Sequence, residues 1–302
     1  MSCQADRGQP RPATTVGASE PTQARRQFLK RLAWAGAGLL AGGLALDAAY
    51  ERHWLQVTRP RIAIPALPAG LDGLTVCHVT DIHHGPYLDL ERVQGVVDLV
   101  LSLGADLIVL TGDMVHRSPK YTDPVWAELG RLRAPLGVFC VMGNHDHWEG
   151  IEHSRRAAQQ ADIPELNNRG IPISRRGARL WLAGVGDLYE DEQLLHQALA
   201  GVPQNEPAIL LSHNPDYADE VTDPRVKLIL AGHSHGGQIV LPLLGPPVVP
   251  CKQKYAMGLV KTDVSQVYIS RGIGMAIIPI RMNCRPELPV ITLTGLPTRA
   301  PA

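Results

Sequence analysis

The chain has 302 residues, enough to bury one large α/β core or two small ones. Its 29 Lys+Arg balance 29 Asp+Glu, so the overall basic charge of a nucleic-acid-binding surface is missing. With only two Phe, it also offers no aromatic platform for stacking single-stranded bases, and no specific nucleic-acid binding is expected.

Residues 1–24 are polar, rich in Pro, Gly, Ser and Thr, and are predicted to be disordered. Arg25-Arg26-Gln27-Phe28-Leu29-Lys30 follows, and then an uncharged, mildly apolar stretch from Leu32 to Leu46. A twin Arg, a Phe two places on and a Gly-rich apolar run match a twin-arginine export signal. At ~1.5 Å per residue the apolar stretch spans about 22 Å, short of the ~30 Å hydrocarbon core. Residues 25–50 therefore read as a twin-arginine signal or anchor segment. The expected partner is the twin-arginine export machinery, and the expected location is periplasmic or membrane-tethered. Ala45, Ala48 and Ala49 offer small residues for cleavage, but Asp47 blurs the pattern, so an uncleaved tether with membrane association stays open.

From about residue 60 to 296 strand-like and helix-like patterns alternate. Leu74–Thr80 is a β-rich apolar run. Leu90 to Leu103 has apolar residues at helical spacing and is closed by Gly104 as a C′ residue. Asp106–Thr111 predicts a second strand, Pro124–Leu132 a second helix, and Gly137–Met142 a third strand. Further strands are expected at 179–185, 208–212, 226–231, 237–240, 266–270 and 289–293, with an unstructured tail from Pro297. Alternation of this kind implies βαβ units and a largely parallel central sheet.

Five Cys stand at 3, 77, 140, 251 and 284, and none forms a C-x-x-C pair. Cys77 and Cys140 read as core residues, whereas Cys251 and Cys284 could pair in an oxidising compartment.

The 12 His are clustered, and the clusters sit where strands end. Thr80-Asp81-Ile82-His83-His84 follows the first strand, Gly112-Asp113 the second, and Gly143-Asn144-His145-Asp146 the third. Ser212-His213 and Gly232-His233-Ser234-His235-Gly236-Gly237 follow two later strands. A Gly-Asp dipeptide alone is usually a turn, and one His after a strand is usually structural. Five segments in this order are different, because the carboxyl ends of parallel strands share one edge, where ligands bind. Oxygen and nitrogen donors without sulfur suit Mn, Fe or Zn. Asp81, His83, Asp113, Asn144, His213, His233 and His235 are too many for one ion and suit two divalent ions sharing a carboxylate. Gly112, Gly143 and Gly232 precede ligands, where the backbone must turn sharply or pass close to the site.

The run D-x-H, G-D, G-N-H-[DE], a lone His and G-H-x-H resembles the calcineurin-like metallophosphoesterase superfamily over about residues 60–295. Gly232–Gln238, Arg271-Gly272-Ile273-Gly274, Pro279-Ile280-Arg281 and Pro286-Glu287-Leu288 resemble its exported phosphodiesterases of the YaeI and YkuE type. The resemblance implies a four-layer α/β/β/α sandwich of two mixed sheets flanked by helices. It implies that Asp81, His83 and His235 hold one metal, that Asn144, His213 and His233 hold the other, and that Asp113 bridges them. His145 would be the catalytic acid, oriented by Asp146. His84, His116 and His147 are left as additional residues. The implied function is metal-dependent hydrolysis of a phosphate ester, most simply a phosphodiester, by metal-activated water. Two alternatives are a lipid A precursor hydrolase acting on UDP-2,3-diacylglucosamine and a non-catalytic metal-binding envelope protein. The apolar, Pro-rich run Leu241–Pro250 reads either as a rigid packed loop or as a wall for a lipid-linked substrate.

Overall fold

The computed structural model describes residues 23–295. Residues 1–22, Cys3 among them, and the tail from Pro297 lie outside the described residues. The chain divides into two compact units, one ending at Ala45 and one beginning at Leu46. Helix α1 (Gln23–Glu51) runs across that division. Within the first unit Arg25 and Arg26 are exposed, as are Phe28, Leu29, Leu32, Trp34 and Leu39. No described helix is long and apolar enough to cross a membrane.

The second unit is built on two six-stranded sheets. The first contains β1 (Gln56–Thr58), β2 (Arg61–Ile64), β3 (Thr75–Val79), β4 (Leu107–Thr111), β5 (Val138–Val141) and β12 (Glu287–Gly295). It begins ahead of residue 60, because Gln56 pairs with Glu287. The second contains β6 (Arg169–Arg175), β7 (Ala178–Gly184), β8 (Ala208–Leu211), β9 (Val226–Ala231), β10 (Gly258–Lys261) and β11 (Gln266–Ile269). Strands β3, β4 and β5 are mutually parallel, and β12 runs antiparallel to β3. Strands β7, β8, β9 and β11 are parallel, with β6 and β10 antiparallel at the two edges. Both sheets are therefore mixed, as the resemblance implies, where alternation alone suggested one largely parallel sheet.

Alternation along the strands builds the layers. In β4, Leu107 and Val109 face the second sheet, where they meet Leu182, Leu211 and Leu230, while Ile108 and Leu110 face the helices. Helices α2 (Leu90–Leu103), α3 (Thr122–Leu129) and α5 (Ile151–Gln160) cover that outer face. The outer face of the second sheet has a thinner cover, from α6 (Leu195–Ala198) and the turn around Tyr217. Helix α2 starts where Asp89 accepts the Arg92 N–H and ends at Gly104, whose φ of 59° lies in the left-handed region.

Residues 237–240 do not form the expected strand. Gly236, Gly237 and Gln238 all have positive φ, which turns the chain out of the sheet, and only a bridge between Ile239 and Met282 remains. Cys251 and Cys284 are both free thiols, and so are Cys77 and Cys140. The Cys284 Sγ lies 3.3 Å from the His235 carbonyl, and the Cys251 Sγ lies 3.5 Å from that of Tyr255.

Candidate metal centre

The parallel strands of both sheets bring their carboxyl ends to one edge. Asp81 and His83 follow β3, Asp113 follows β4, and Asn144 opens α4 (Asn144–Trp148) just after β5. His213 follows β8, and His233 and His235 follow β9. All seven side chains are buried. Asp81, His83 and His235 bring ligand atoms within 4.8 Å of one another, and so do Asp113, His213 and His233. Asn144 Oδ1 lies 3.2 Å from His213 Nε2 and joins the second group. Asp113 Oδ2 lies 3.4 Å from His83 Nε2 in the first group and 3.3 Å from His213 Nε2 in the second.

The turns that carry these residues are strained. Asp81, His83, Asp113, His233 and His235 have φ between 50° and 66°, where side chains other than glycine are uncommon. Such strain gathers at functional sites. Backbone bonds lock the turns together: Asp81 N–H donates to the Gly112 carbonyl and His83 N–H to that of Asp113, both at 3.0 Å. Gly232 passes so close that a Cβ there would collide with Asp81 Oδ2 and Thr80 Oγ1. The two His233 N–H bonds to the Asp81 carboxylate, at 3.0 and 3.1 Å, depend on that approach.

The imidazole tautomers show that the pocket fits a cation. His213 Nδ1 sits 2.7 Å from the Thr111 carbonyl, which can only accept, so that nitrogen carries a proton. His233 Nε2 is held in the same way by the Pro250 carbonyl at 3.2 Å. In the neutral rings the remaining nitrogens, His213 Nε2 and His233 Nδ1, therefore turn lone pairs toward each other across 3.2 Å. His83 Nε2 and His235 Nε2 stand 3.0 Å apart beside Asp81 and Asp113. Imidazole nitrogens and carboxylates gathered at such distances suit a cation held between them.

The groups titrate apart from one another. Burial pushes His83 and His235 well below the usual imidazole range, and His233 down to about 4. Burial lifts the Asp81 carboxyl to about 7. Burial opposes ionisation of Asp113 as well, yet His213 beside it holds that carboxyl well below its ordinary range. Burial would also lower His213, but Asp113 carries it well above the normal value.

His145 lies at the mouth of the site and is part-exposed, its ring 4.6 Å from that of His83. Among the described residues no hydrogen bond joins the Asp146 carboxylate to the His145 ring. The Asp146 carboxylate instead accepts backbone N–H groups from Asp113 at 2.8 Å and from Met114 and Gly143 at 3.0 Å. The reason is its place at the third position of α4, from which a short acidic side chain folds back over the helix start. A side-chain nitrogen that does reach His145 belongs to His116, Nδ1 to Nδ1 at 3.3 Å. His116 reaches that place because its N–H bonds to the His84 carbonyl, zipping the two ligand turns together. His84 is buried with its Nδ1 on the Leu88 carbonyl.

Arg281 is a second residue with an unforeseen place. It is fully buried and donates to the carbonyls of Arg271, Gly272, Gly274 and Cys284. The loop it staples backs the Asp81 turn, where Gly274 N–H donates to the Asp81 carbonyl at 2.6 Å.

Fold and site together define a class, and the comparisons agree. Residues 74–237 match the calcineurin-like phosphoesterase family, and the chain belongs to it. It is accordingly a metal-dependent phosphoric ester hydrolase, and the His and Asp groups at the sheet edge are candidates for the divalent metal ions that family membership implies. The chain is 34% identical over 278 residues to the metallophosphoesterase YkuE of Bacillus subtilis, covering 89% of this chain and 97% of that one. It is 29% identical over 274 residues to the phosphodiesterase YaeI of Escherichia coli, covering 89% and 98% respectively. Among solved structures, a dimetal phosphatase from Danio rerio superposes with a TM-score of 0.40 at 14% identity, over 67% of this chain and 88% of that one.

Proposed function

We propose that this chain is a dinuclear phosphodiesterase in which Asp113 serves both ions. The carrying observation is the position of Asp113 Oδ2, within 3.4 Å of a nitrogen from each donor group. Asp81, His83 and His235 would hold one ion, and Asn144, His213 and His233 the other. The donor set suits Mn, Fe or Zn. When bound, such a pair lowers the pKa of water and draws charge from phosphate oxygens.

The protein's own groups do the rest. His145 stands at the open side of the site, where it can stabilise charge on the phosphate and hand a proton to the leaving oxygen. His116 Nδ1 limits the swing of that ring. Asp146 fixes the backbone of Asp113 and so the aim of its carboxylate. A site serving only to store metal has no use for His145 and His116, which favours catalysis over an inert envelope module. The relative named as a phosphodiesterase supports the diester reading. The test is hydrolysis of bis-p-nitrophenyl phosphate against p-nitrophenyl phosphate, with Mn, Zn or Fe added to chelator-stripped protein. The diester should be cleaved with at least one of the metals. A rate no higher than without protein for every metal would refute the proposal.

Export is proposed alongside. The exposed Arg25 and Arg26 near the start of α1, followed by a weakly apolar helix, support twin-arginine targeting to a periplasmic or membrane-tethered location. The lipid A precursor reaction fits less well, because its nucleotide substrate is cytoplasmic.

A further inference from the structure

Two loops beside the site carry largely exposed aliphatic side chains. Residues 236–250 and 272–280 contain no charged side chain. In the first, Leu243 is entirely exposed, Leu244 is 80% exposed and Val248 74%; in the second, Ile277 is 78% exposed. Scattered exposed apolar residues are ordinary, but several on two loops joined by hydrogen bonds next to a site suit a docking surface.

Hydrogen bonds tie the two loops together. Gln238 is buried between the loops, accepting the Ala276 N–H at 2.8 Å and donating to the carbonyls of Ile278 at 2.9 Å and Ile280 at 3.2 Å. Leu241 and Gly245 close the first loop with reciprocal backbone bonds, which leaves Leu243 and Leu244 at its tip. The lip also touches the site directly. Pro250 at the end of the first loop accepts from His233 at 3.2 Å. Arg117 spans from the ring of His116 at 3.1 Å to the Ile277 carbonyl at 3.3 Å.

We propose that this lip inserts into an anionic lipid surface and brings the site to phosphate esters held there. The tips are Leu, Val and Ile without an aromatic ring or hydrogen-bonding group, whereas protein interfaces are anchored by Tyr, Trp and Arg. Cations stand at their base. Arg52 bonds the Pro279 carbonyl and Arg117 that of Ile277, and neither forms a salt bridge among the described residues. Uncharged aliphatic tips above unpaired arginines complement acyl chains below anionic headgroups. Independently, α1 exposes Phe28, Leu29 and Trp34 among Arg25, Arg26 and Lys30.

The inference deepens the phosphoesterase reading and rests on it for the nature of the ester, so its test keeps the two apart. The full chain is sedimented with vesicles of phosphatidylcholine, with and without phosphatidylglycerol, and assayed in solution on bis-p-nitrophenyl phosphate. Burying one Leu or Ile is worth about tenfold or more in partition. The double variant Leu243→Asp with Ile277→Asp should lose at least about tenfold of its partition onto phosphatidylglycerol vesicles. Leu244→Phe should retain it, and all three proteins should cleave the soluble diester equally. Equal partition of the Asp variant and the wild type would place any membrane binding elsewhere and overturn the proposal. Self-association of the wild type that the Asp variant loses, without vesicle binding, would overturn it in favour of a second copy. Failure to cleave the soluble diester would sink the phosphodiesterase reading, while vesicle partition would still be measured on its own.

Discussion

Asp146 accepts the backbone N–H of Asp113 at 2.8 Å, so the acid next to His145 in sequence holds the Asp113 turn. Its other oxygen takes the Met114 N–H at 3.0 Å. Burial and the nearby Asp113 push the Asp146 carboxyl up to about 7, against the pull of those donors.

Asp146→Asn keeps the shape but leaves a single acceptor oxygen for donors on both sides. Weaker support of this kind typically costs 10–100-fold in metal affinity. A metal titration of activity should therefore shift to higher concentration, with the maximal rate largely recovered at saturation. A lower maximal rate at unchanged metal affinity would instead return Asp146 to the role of orienting His145.

His145→Ala should lower the rate on an unactivated diester by ~10²–10⁴ and leave metal content intact. The loss should be smaller on nitrophenyl esters, whose leaving group needs little protonation. His116→Ala should give a smaller loss with the same dependence on leaving group, because it acts through the 3.3 Å contact with His145. The double variant should be no worse than His145→Ala alone, since groups acting as a unit are not additive. Rates on both ester types, with metal analysis of each variant, check this. An equal loss on both esters would contradict proton donation.

Glu287 offers a pH signature away from the metals. It is buried and accepts from Thr58 Oγ1 and Tyr268 Oη at 2.7 Å and from Arg271 Nε at 3.2 Å. Burial opposes its charge, but Arg271 and these donors hold the carboxyl below its usual range. A depressed carboxyl contributes stability that is present above the unfolded pKa and lost as pH falls through the folded one. Glu287→Gln should therefore be destabilised by about 3–5 kcal/mol at neutral pH, with the gap to wild type narrowing in acid. Urea denaturation of both proteins at neutral and acidic pH measures it, and a gap independent of pH would show that the charge is not what matters.

The chemistry of this site is legible in sequence because its ligands sit at fixed places after apolar runs. The strands before Asp81, Asp113 and Asn144 stand out for that reason, and α2 announces its end at Gly104. Supporting geometry is less visible. Nothing in Gly112-Asp113-Met114 shows that Asp113 has a φ of 59°, or that Asp146 will fold back to hold it. His116 looks like any loop histidine until the pairing of the two ligand turns carries it to His145. Arg169–Arg175 escapes notice because Pro172 and its charges suit an edge strand, and Gly258–Lys261 is short, half-exposed and also at an edge. Residues 237–240 mislead because Ile239-Val240 has strand chemistry, while Gly236-Gly237-Gln238 supplies a turn.

Export is checked with a reporter joined after residue 60. Arg25→Lys combined with Arg26→Lys should abolish its appearance outside the cytoplasm, because twin-arginine recognition reads the guanidinium pair. Unchanged export in the double variant would assign the segment to another route.

Metal analysis of Asp113→Ala beside the wild type, with the rate on bis-p-nitrophenyl phosphate, is the most direct test of a carboxylate shared by two ions. Asp113 Oδ2 faces a nitrogen of each donor group, so its removal should deplete both ions and abolish turnover. Retention of the wild-type metal content, or of a rate within about tenfold of wild type, would contradict the shared site.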